Sequence, residues 1–335
     1  MLTGEQVKKQ SEGAFSQWGP TWEKNAKLNG ETFKAKGKSN FSIFGHGVGR
    51  HLICVAYGAS LEDEVDKLKV KNPSVDIACV DKAFGYLLDH DVKPKFVFLA
   101  DAGISYEENC EPWLDQTKDM SLILNVCANP EWAKNWRGNV FFVVNEDNIK
   151  TQDIYSPLSG VNELVKASSN VGNSVIVYAN SYLHYDTYTM VGYDFAWGED
   201  DNYYCNKDTD KRWYMNHNQV LQPTGELVYT SNNLMFSVRW LSDYINVEIA
   251  PRKRKVYKTT KKGLLSVPIR NLDKLLKTFT ARQPEPEEID HILNTRAISV
   301  SVKDPAELNR ELPNKQVLEV IIRHLPTDPL EAVHA

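Results

Sequence analysis

Short apolar runs alternate with amphipathic segments through the middle of the chain. The run "HLICV" at 51–55 leads into the turn "YGAS" at 57–60, after which Leu61, Val65 and Leu68 recur at helical spacing. Apolar runs of this length are typical of buried strands, and a spacing of three or four residues is typical of a helix that packs on a sheet. We therefore predict a strand, a glycine turn and a helix, in this order.

The same plan is repeated downstream. The pattern predicts a strand at 75–80, a helix at 82–90 and a strand at 96–100, and "SLILNVC" and "NVFFVV" supply two further buried strands. A helix-like segment then precedes the strand that leads into "VGYDFAW" at 191–197. Buried strands separated by helices indicate a mostly parallel sheet with helices on both faces. We predict an open, doubly wound α/β (Rossmann-like) sheet within residues 40–205.

The segments that flank this sheet have a different character. Residues 1–39 are polar with sparse aromatic residues, and they predict an N-terminal extension of one or two short helices. Residues 271–335 are rich in proline and acidic residues and predict a C-terminal appendage with short helical stretches. We assign the Rossmann-like domain to 40–270, because a chain of 335 residues is long enough for one large domain with additions.

Composition adds few constraints to this picture. The hydrophobic fraction of 42% and the charged fraction of 25% are those of a globular protein, and no apolar run approaches the roughly 18 residues of a membrane span. The start "MLTGEQVKKQSEGAF" has no secretory-type apolar stretch, so we expect a cytoplasmic protein, in the host cytoplasm if it is viral. The five scattered cysteines argue against a disulfide framework and a structural zinc site.

Polar residues stand where four of the predicted strands end. Gly58, Asp81, Asp101 and Asp194 each fall at or just beyond the carboxyl end of a strand. Ligands of open parallel sheets bind in the crevice beyond those ends, so the four residues together predict a site. For any one aspartate the simpler interpretation is structural, because aspartate is a common helix cap after a strand.

Two glycine loops and one basic run are further candidates. "YGASLED" is shorter than the dinucleotide fingerprint and lacks the GK[ST] ending of a P-loop, but Gly58 allows close backbone approach and Ser60 can cap a helix. "FGHGVGR" at 44–50 precedes the first strand and is interpreted as a turn. The run 251–262 carries seven Lys/Arg and no acid; it could contact the phosphates of a nucleic acid, although a solvated strand edge is the commoner use.

The ordered set of motifs resembles one known family. "YGASL" is similar to a G-x-G-P-S-L loop, "CVDKAFGYLLDHDVKPKFVFLAD" to a polar strand tip, helix and strand ending on aspartate, and "NVGNSVIVYA" with "TMVGYDFAW" to a small-residue helix start followed by a G-x-D strand end. This order is that of the 6-hydroxymethylpterin pyrophosphokinase (MptE-like) domain, shared with flagellar motility accessory factors and more distantly similar to bacterial sialyltransferases. The resemblance covers about 50–205, and "KVYKTTKKGLLSVP" at 255–268 resembles the segment that closes the accessory-factor domain.

The resemblance implies a nucleotide-recognising transferase. In the sialyltransferase relatives, the glycine loop, the next strand end and a small-residue helix start hold a cytidine nucleotide. The matching residues here are Gly58, Ser60, Asp81, Asn170, Gly172 and Ser174. Tyr57 and Ala59 replace a glycine and a proline of the usual loop, so the chain departs from the family pattern where phosphates would approach.

The pyrophosphokinase relatives imply a different chemistry at the same edge. There, acids at the strand ends hold magnesium and a triphosphate, a role that would fall to Asp81, Asp101 and Asp194. Single aspartates stand here where the kinase metal site has doubled ones. Magnesium is therefore a cofactor only on this second interpretation.

The segment "DKRWYMNHNQ" supplies candidates for the transfer step. Glycosyl transfer needs a base for the acceptor hydroxyl and a group that neutralises the leaving phosphate. His217 is predicted as the base, with Arg212, Tyr204 and Tyr214 as phosphate partners. Asp194 is expected to contact the donor or a metal. A histidine in a polar loop is more often a surface residue, which is the simpler interpretation of His217.

These residues predict a transferase that uses a nucleotide-activated sugar, CMP- or UDP-linked, and an unknown acceptor. A magnesium-dependent pyrophosphokinase of the 6-hydroxymethylpterin type is the alternative. Two other functions stay open: a glycosyltransferase that modifies viral DNA, for which the basic run 251–262 is the support, and a non-catalytic nucleotide or glycan binder. Assembly into a homo-oligomer stays open as well.

Overall fold

The computed structural model describes residues 4–145, 164–165, 170–197, 205 and 218–301. The strands in these ranges are β1 (Gly37–Lys38), β2 (His51–Val55), β3 (Val75–Val80), β4 (Phe96–Leu99), β5 (Ser121–Asn125), β6 (Asn139–Asn145), β7 (Leu164–Val165), β8 (Thr187–Val191), β9 (Asn218–Leu221), β10 (Leu227–Thr230) and β11 (Lys255–Lys258). The main sheet has the order β1-β6-β5-β4-β3-β2-β8-β11, with β7 beside β6, and all its pairings are parallel. β9 and β10 form a separate antiparallel hairpin.

The helices flank this sheet. The α-helices of the described chain are α1 (Gly4–Lys36), α2 (Asp81–Asp89), α3 (Tyr106–Asn109), α4 (Pro130–Asn135), α5 (Val171–Tyr178), α6 (Asn232–Tyr244), α7 (Leu272–Thr278) and α8 (Pro286–Ser301). α5 packs over β2, β3 and β4, and α2 packs along β3 and β4. This architecture confirms the predicted Rossmann-like α/β fold.

The direction of winding reverses at β2. From β2 to β6 each new strand is added on one side, whereas β8 and β11 lie on the other side of β2. The last residues of β2 and β8, Val55 and Val191, are register partners. The crevice for a ligand in such a sheet is expected where the winding reverses, beyond the carboxyl ends of the strands. A ligand site is therefore expected next to β2 and β8.

The predicted helix after β2 is formed by two short 3-10 segments instead of an α-helix. Ala59–Leu61 and Val65–Lys69 carry hydrogen bonds between residues three apart, such as that from the Lys67 N–H to the Glu64 carbonyl at 3.1 Å. The apolar residues Leu61, Val65 and Leu68 are buried as the pattern predicts. A spacing of three or four residues places side chains on one face of either kind of helix, so the pattern did not distinguish between them.

The N-terminal extension is one long helix where short helices were predicted. α1 has 33 residues and is tied to the loop after β5 by buried asparagines. Asn25 Nδ2 donates to the Cys127 carbonyl at 3.0 Å, and Asn29 Nδ2 donates to the carbonyls of Val126 and Ala128 at 2.8 and 2.9 Å. The sparse aromatic residues gave no sign of this contact, because it is made through amide side chains. The domain boundaries at 39/40 and 270/271 stay predictions.

Candidate functional site

The carboxyl edge of the sheet brings the predicted strand-end residues onto one side of the molecule. Gly58 follows β2, Asp81 follows β3, Asp101 follows β4 by two residues, and Asp194 follows β8. Because these strands are parallel neighbours in the order β4-β3-β2-β8, their carboxyl ends form a continuous edge. The four residues differ in what they contact.

Asp194 binds the glycine loop of its own chain. The Ser60 N–H donates to Asp194 Oδ2 at 2.8 Å, and the Ser60 hydroxyl donates to Oδ1 at 2.5 Å. Asp194 is 6% exposed, and burial raises the pKa of its carboxyl while the bonds from Ser60 act in the opposite direction. Both carboxylate oxygens therefore accept hydrogen bonds from Ser60, so Asp194 positions the glycine loop. The sequence had instead predicted that Asp194 contacts the donor or a metal.

Glycines allow two chain segments to close on Asp194. A Cβ atom at Gly58 would lie 2.4 Å from the Gly192 carbonyl oxygen and 2.7 Å from Asp194 Oδ2. Gly263 has φ +86°, and a Cβ atom there would lie 2.6 Å from the Asp194 carbonyl oxygen. Gly58 is thus needed for close backbone approach, as predicted for this loop. The atoms that approach it in this structure are those of Gly192 and Asp194 and not those of a phosphate.

Lys258, the last residue of β11, is the residue at this edge that the sequence analysis missed. It is 5% exposed and its ammonium donates to the Lys262 carbonyl at 3.2 Å. Burial lowers the pKa of Lys258, and the charge of Asp194 raises it. The lysine lies in the run 251–262, whose charge suggested a solvated edge. The apolar residues near it in the sequence, Val256 and Leu264, were the signal that could have predicted its burial.

Asp81 is the strand-end acid with unused hydrogen-bonding capacity. It is 3% exposed and is the first residue of α2; its Oδ1 accepts from the Lys82 N–H at 2.7 Å, whereas its Oδ2 is buried without a partner. Burial and the charge of Asp101 raise the pKa of Asp81 to about 7 against the 3.8 of a free aspartate. A buried carboxyl with a perturbed pKa and an unpaired oxygen is typical of a functional site.

Asp101 lies on the solvent side of Asp81. Its side chain is exposed, and Oδ1 accepts from the Gly103 N–H at 2.8 Å, which closes the loop after β4. A Cβ atom at Gly103 would lie 3.1 Å from the ring of Trp18 in α1, so the N-terminal helix reaches this loop. Of the predicted acids, the structure therefore places Asp81 and Asp101 close enough to interact electrostatically, with Asp81 as the buried member.

The start of α5 contributes the predicted small-residue turn. Asn170 caps this helix, since its Oδ1 accepts from the Asn173 N–H at 2.8 Å, and the Ser174 hydroxyl donates to the Asn170 carbonyl at 3.2 Å. The Gly172 carbonyl accepts from the Tyr193 hydroxyl at 2.8 Å. Tyr193 precedes Asp194, so this bond fixes the start of α5 to the exit of β8. The three predicted residues are thus brought to the same edge as the glycine loop.

A narrow cleft runs between α5 and the strand ends. Its lining comes from the ends of β4, β5 and β6 and from the first two turns of α5: Phe98, Leu99, Ala100, Ile123, Asn125, Val143, Val171, Ser174 and Tyr178. Ala100 precedes Asp101, so the cleft begins next to the loop that carries this acid. The cleft has a volume of about 20 Å³, which is room for about one water molecule and not for a nucleobase, so a nucleotide would have to lie outside it along the edge.

Four predicted site residues, Tyr204, Arg212, Tyr214 and His217, lie outside the described residues. In the same part of the sequence, Cys205 is described: it is buried, and its N–H donates to the Tyr57 carbonyl at 3.1 Å, next to Gly58. The roles assigned to the four residues stay predictions.

The acids at this edge do not form a magnesium cradle. Asp194 is engaged by Ser60, Asp81 is buried, and Asp101 is exposed and bonded to its own loop. Within the described ranges, no group of three or more His, Cys, Asp or Glu side chains is placed to hold a metal ion. Asp81, Asp101 and Asp194 are therefore not arranged as one set of metal ligands, whereas a magnesium ion held mainly by nucleotide phosphates would need only one or two carboxylates.

The basic run 251–262 is mostly engaged by the protein itself. Arg252 pairs with Glu248 at 3.3 Å, Lys262 pairs with Asp63 at 3.3 Å, and Arg254 donates to the carbonyl of Asn180 at 2.7 Å. Part of the run forms the edge strand β11, as expected for a strand edge. The run is therefore divided between the two ends of β11 and does not form one open cationic face.

The chain is similar to one sequence family and to several solved structures. The sequence model described as 6-hydroxymethylpterin diphosphokinase MptE-like matches residues 24–200. The structure of the MAf glycosyltransferase from Magnetospirillum magneticum AMB-1 is similar, with a TM-score of 0.59 and 14% identity over 83% of this chain, but this chain spans only 42% of that one. The sialyltransferase CstII from Campylobacter jejuni, in complex with cytidine-5'-monophosphate, has a TM-score of 0.35 and 15% identity over 73% of this chain and 98% of its own. No curated protein sequence matches significantly.

No helix in the described part of the chain combines the length and the apolar character that a membrane span requires. α1 is long enough, but its sequence is rich in charged residues.

Proposed function

The chain belongs to the 6-hydroxymethylpterin diphosphokinase MptE-like family, and from this premise we propose that it is a nucleotide-dependent transferase that binds its donor at the carboxyl edge of the sheet. The predicted family membership is confirmed by the match over residues 24–200, which is more than half of the chain. We propose glycosyl transfer from a CMP- or UDP-sugar as the reaction. The observation that carries this proposal is the buried, unpartnered Oδ2 of Asp81 at the carboxyl edge of the sheet.

Asp81 is suited to hold a neutral polar group of the donor. With a pKa of about 7, its carboxyl is a mixture of neutral and ionised forms at neutral pH, so Oδ2 can donate to or accept from a sugar hydroxyl or a base amide. A magnesium ion would instead require ionised oxygens that face solvent. The geometry of Asp81 therefore favours hydrogen bonding to a nucleotide over metal binding.

The other predicted residues have supporting roles in this proposal. Asn170, Gly172 and Ser174 set the start of α5 beside the cleft, and the loop at Gly58 and Ser60 is held in place by Asp194. Tyr204 and Tyr214 are proposed to bind the nucleotide phosphates. Asp194 is a positioning residue, because it contacts the loop and is nearly fully buried.

In the transfer step, the acceptor hydroxyl attacks the anomeric carbon of the donor sugar. The bond from that carbon to the phosphate oxygen breaks, the nucleotide leaves with the electron pair, and the hydroxyl proton passes to a base. We assign the base to His217 and the stabilisation of the leaving phosphate to Arg212. Replacing His217 with alanine should lower the transfer rate while nucleotide affinity is retained.

A panel of nucleotides tests the proposal. CMP, UDP, GDP, ADP and ATP are each added with and without Mg²⁺, and the shift in melting temperature is measured, because a ligand of the folded state raises its stability. We expect a shift with CMP or UDP that does not require Mg²⁺. Asp81→Asn should weaken this binding about tenfold or more, which corresponds to about 1.4 kcal/mol. Asp119→Asn, an exposed acid before β5, is the matched control.

Pyrophosphoryl transfer is the second candidate, because the family description names a diphosphokinase. A shift with ATP that appears only when Mg²⁺ is present would replace glycosyl transfer by this reaction. No shift with any nucleotide would reject both transferase proposals in favour of a non-catalytic role. Salt-dependent binding of duplex DNA through 251–262 would instead support a DNA acceptor.

A further inference from the structure

A second cavity lies at the opposite, amino-terminal edge of the sheet. It has a volume of about 390 Å³ and is lined by Val48, His184, Asp186, Arg252, Lys253, Arg254, Arg282, Glu288, His291 and Ile292. This volume lies in the range of pockets that bind small molecules. Asp186 directly precedes β8 and Arg254 directly precedes β11, so the pocket lies where these two strands begin.

Two helices end at this pocket in the same unusual way. α5 continues through a π-helical turn, Ala179–Leu183, to His184 at φ 59°, and α6 continues through a π-helical turn and a 3-10 turn to Lys253 at φ 58°. A left-handed backbone at a residue other than glycine carries strain, and such residues and π-turns are concentrated at functional sites. Two of the four non-glycine residues with positive φ in the described chain line this one pocket.

The charge of the pocket is positive after its internal pairs are counted. Four side chains of the lining, Arg252, Lys253, Arg254 and Arg282, are cationic and two, Asp186 and Glu288, are anionic. Arg282 holds both acids: its Nε donates to Asp186 Oδ2 at 2.5 Å and its Nη1 to Glu288 Oε2 at 2.7 Å. The acids are therefore turned toward Arg282, and the cations of the 252–254 segment exceed them.

Lys253 is the cation of this lining with an unused charge. Arg252 pairs with Glu248, which lies outside the lining, and Arg254 donates to Asn180. In the described part of the chain, the Lys253 ammonium has no hydrogen bond or ion pair, while its backbone N–H donates to the Ala250 carbonyl at 2.9 Å. The backbone thus fixes the position of Lys253, and its exposed, solvated ammonium is available to a ligand.

We propose that this pocket binds a compact phosphate group, such as the phosphate or pyrophosphate of a small molecule. With Glu248 counted against Arg252, the lining keeps a net positive charge, and guanidinium and ammonium groups are the usual partners of phosphate in proteins. β8 has five residues at about 3.3 Å each, so the pocket lies roughly 16 Å from the carboxyl edge, too far for its ligand to react with a donor bound there. The ligand is therefore an effector or an anchor and not a second substrate.

Titration of the full chain with inorganic pyrophosphate, followed by calorimetry, tests this inference. Lys253→Gly removes the ammonium and places the residue best suited to positive φ at this position, so the fold is retained. We expect binding to the wild-type chain, at least a tenfold loss in Lys253→Gly, and retention in Lys253→Arg. Lys261→Ala, in the same basic run at the other end of β11, is the matched control and should bind as the wild type does.

The variants distinguish pyrophosphate binding in this pocket from binding at the carboxyl edge and from non-specific attraction to the basic run. An absence of pyrophosphate binding overturns the inference, and so does an equal loss in Lys253→Gly and Lys261→Ala, which would indicate non-specific attraction of the basic run. Binding that is lost in Asp81→Asn but not in Lys253→Gly would place pyrophosphate at the carboxyl edge and would also overturn it. Tighter binding of a 20-base-pair duplex, weakened by both lysine variants, would identify a nucleic-acid surface instead.

Discussion

Ser60 donates two hydrogen bonds to Asp194, one from its backbone N–H at 2.8 Å and one from its hydroxyl at 2.5 Å. The two residues are 134 positions apart, and they join the loop after β2 to the exit of β8, the two central strands between which the winding reverses. The buried aspartate therefore fixes the shape of the loop to which the nucleotide is proposed to bind.

Removal of this carboxylate should destabilise the fold more than removal of the serine hydroxyl. Asp194→Ala leaves the buried Ser60 N–H without an acceptor and should lower the free energy of unfolding by about 3 kcal/mol, whereas Ser60→Ala loses one bond and should cost about 1.5 kcal/mol. Urea denaturation measures both values. Asp119→Ala, an exposed acid, is the control and should change stability by less than about 0.5 kcal/mol. A loss in Asp194→Ala as small as the control's would show that the bonds contribute nothing.

The glycine at position 58 should not tolerate a side chain. A Cβ atom there would meet the Gly192 carbonyl oxygen at 2.4 Å, so Gly58→Ala should cost about 2 kcal/mol through displacement of packed backbone. Gly103→Ala is the comparison, because its nearest contact is a ring atom of Trp18 at 3.1 Å. Thermal denaturation of the two variants is compared, and an equal effect would contradict the proposed close approach.

Asp81 should make the protein less stable as the pH rises. Its folded pKa of about 7 lies above the 3.8 of the free group, so the folded state holds a proton that the unfolded state has lost between these values. The resulting penalty is absent at low pH and complete above pH 7. The side chain of Asp81→Asn is always neutral. The difference in free energy of unfolding between this variant and the wild type should therefore change by about 3 kcal/mol in favour of the variant from pH 5 to pH 8.

The unfolding of both proteins in urea at the two pH values measures this difference. Asp101→Asn removes the neighbouring charge and should reduce the penalty partly. If Asp81→Asn changes stability equally at pH 5 and pH 8, the carboxyl of Asp81 is not buried as described. A variant that is more stable but binds nucleotide less well would identify Asp81 as a residue retained for binding at the expense of stability.

His51 should make the protein less stable as the pH falls. Burial lowers the pKa of this histidine to about 3, with the charge of Arg270 acting in the same direction, and its Nε2 lies 2.9 Å from the Thr189 hydroxyl. The folded state keeps it neutral while the unfolded state takes up a proton below pH 6.5, so stability falls as the pH falls. When the pH is lowered from 8 to 5, the free energy of unfolding of His51→Gln should fall by about 2 kcal/mol less than that of the wild type. Parallel pH profiles for the two proteins would contradict this.

The attachment of α1 should depend on an amide that donates. Asn29 Nδ2 donates to two buried carbonyls, so Asn29→Asp places an acceptor against them and should destabilise by about 3 kcal/mol or more. Asn29→Ala removes the donor without adding an opposing charge and should cost less. Glu31→Ala, on an exposed position of the same helix, is the control. Effects of both Asn29 variants as small as that of Glu31→Ala would show that the two bonds contribute nothing.

Much of the sheet could be predicted from the sequence because buried parallel strands have a local signature. The strands predicted at 75–80 and 96–100 are observed at Val75–Val80 and Phe96–Leu99, and the glycine turn follows β2 as expected. The segment after that turn is helical as predicted, but the sequence did not show that it forms 3-10 turns, since Leu61 and Val65 are spaced equally well for either kind of helix. The long α1 was also underestimated, because buried asparagines hold it to the sheet.

The sequence by itself determined which residues reach the carboxyl edge, since a strand that ends on Asp81 or Asp194 carries that residue to the edge wherever it pairs. Only the tertiary structure decided that Asp194 faces Ser60 while an oxygen of Asp81 is left unpaired, because these contacts join segments that are distant in the chain. The same holds for the basic run: its charge is evident in the sequence, but the direction of β11 separates Lys253 from Lys258. Local patterns fix elements, and the packing of those elements fixes the partner of each polar group.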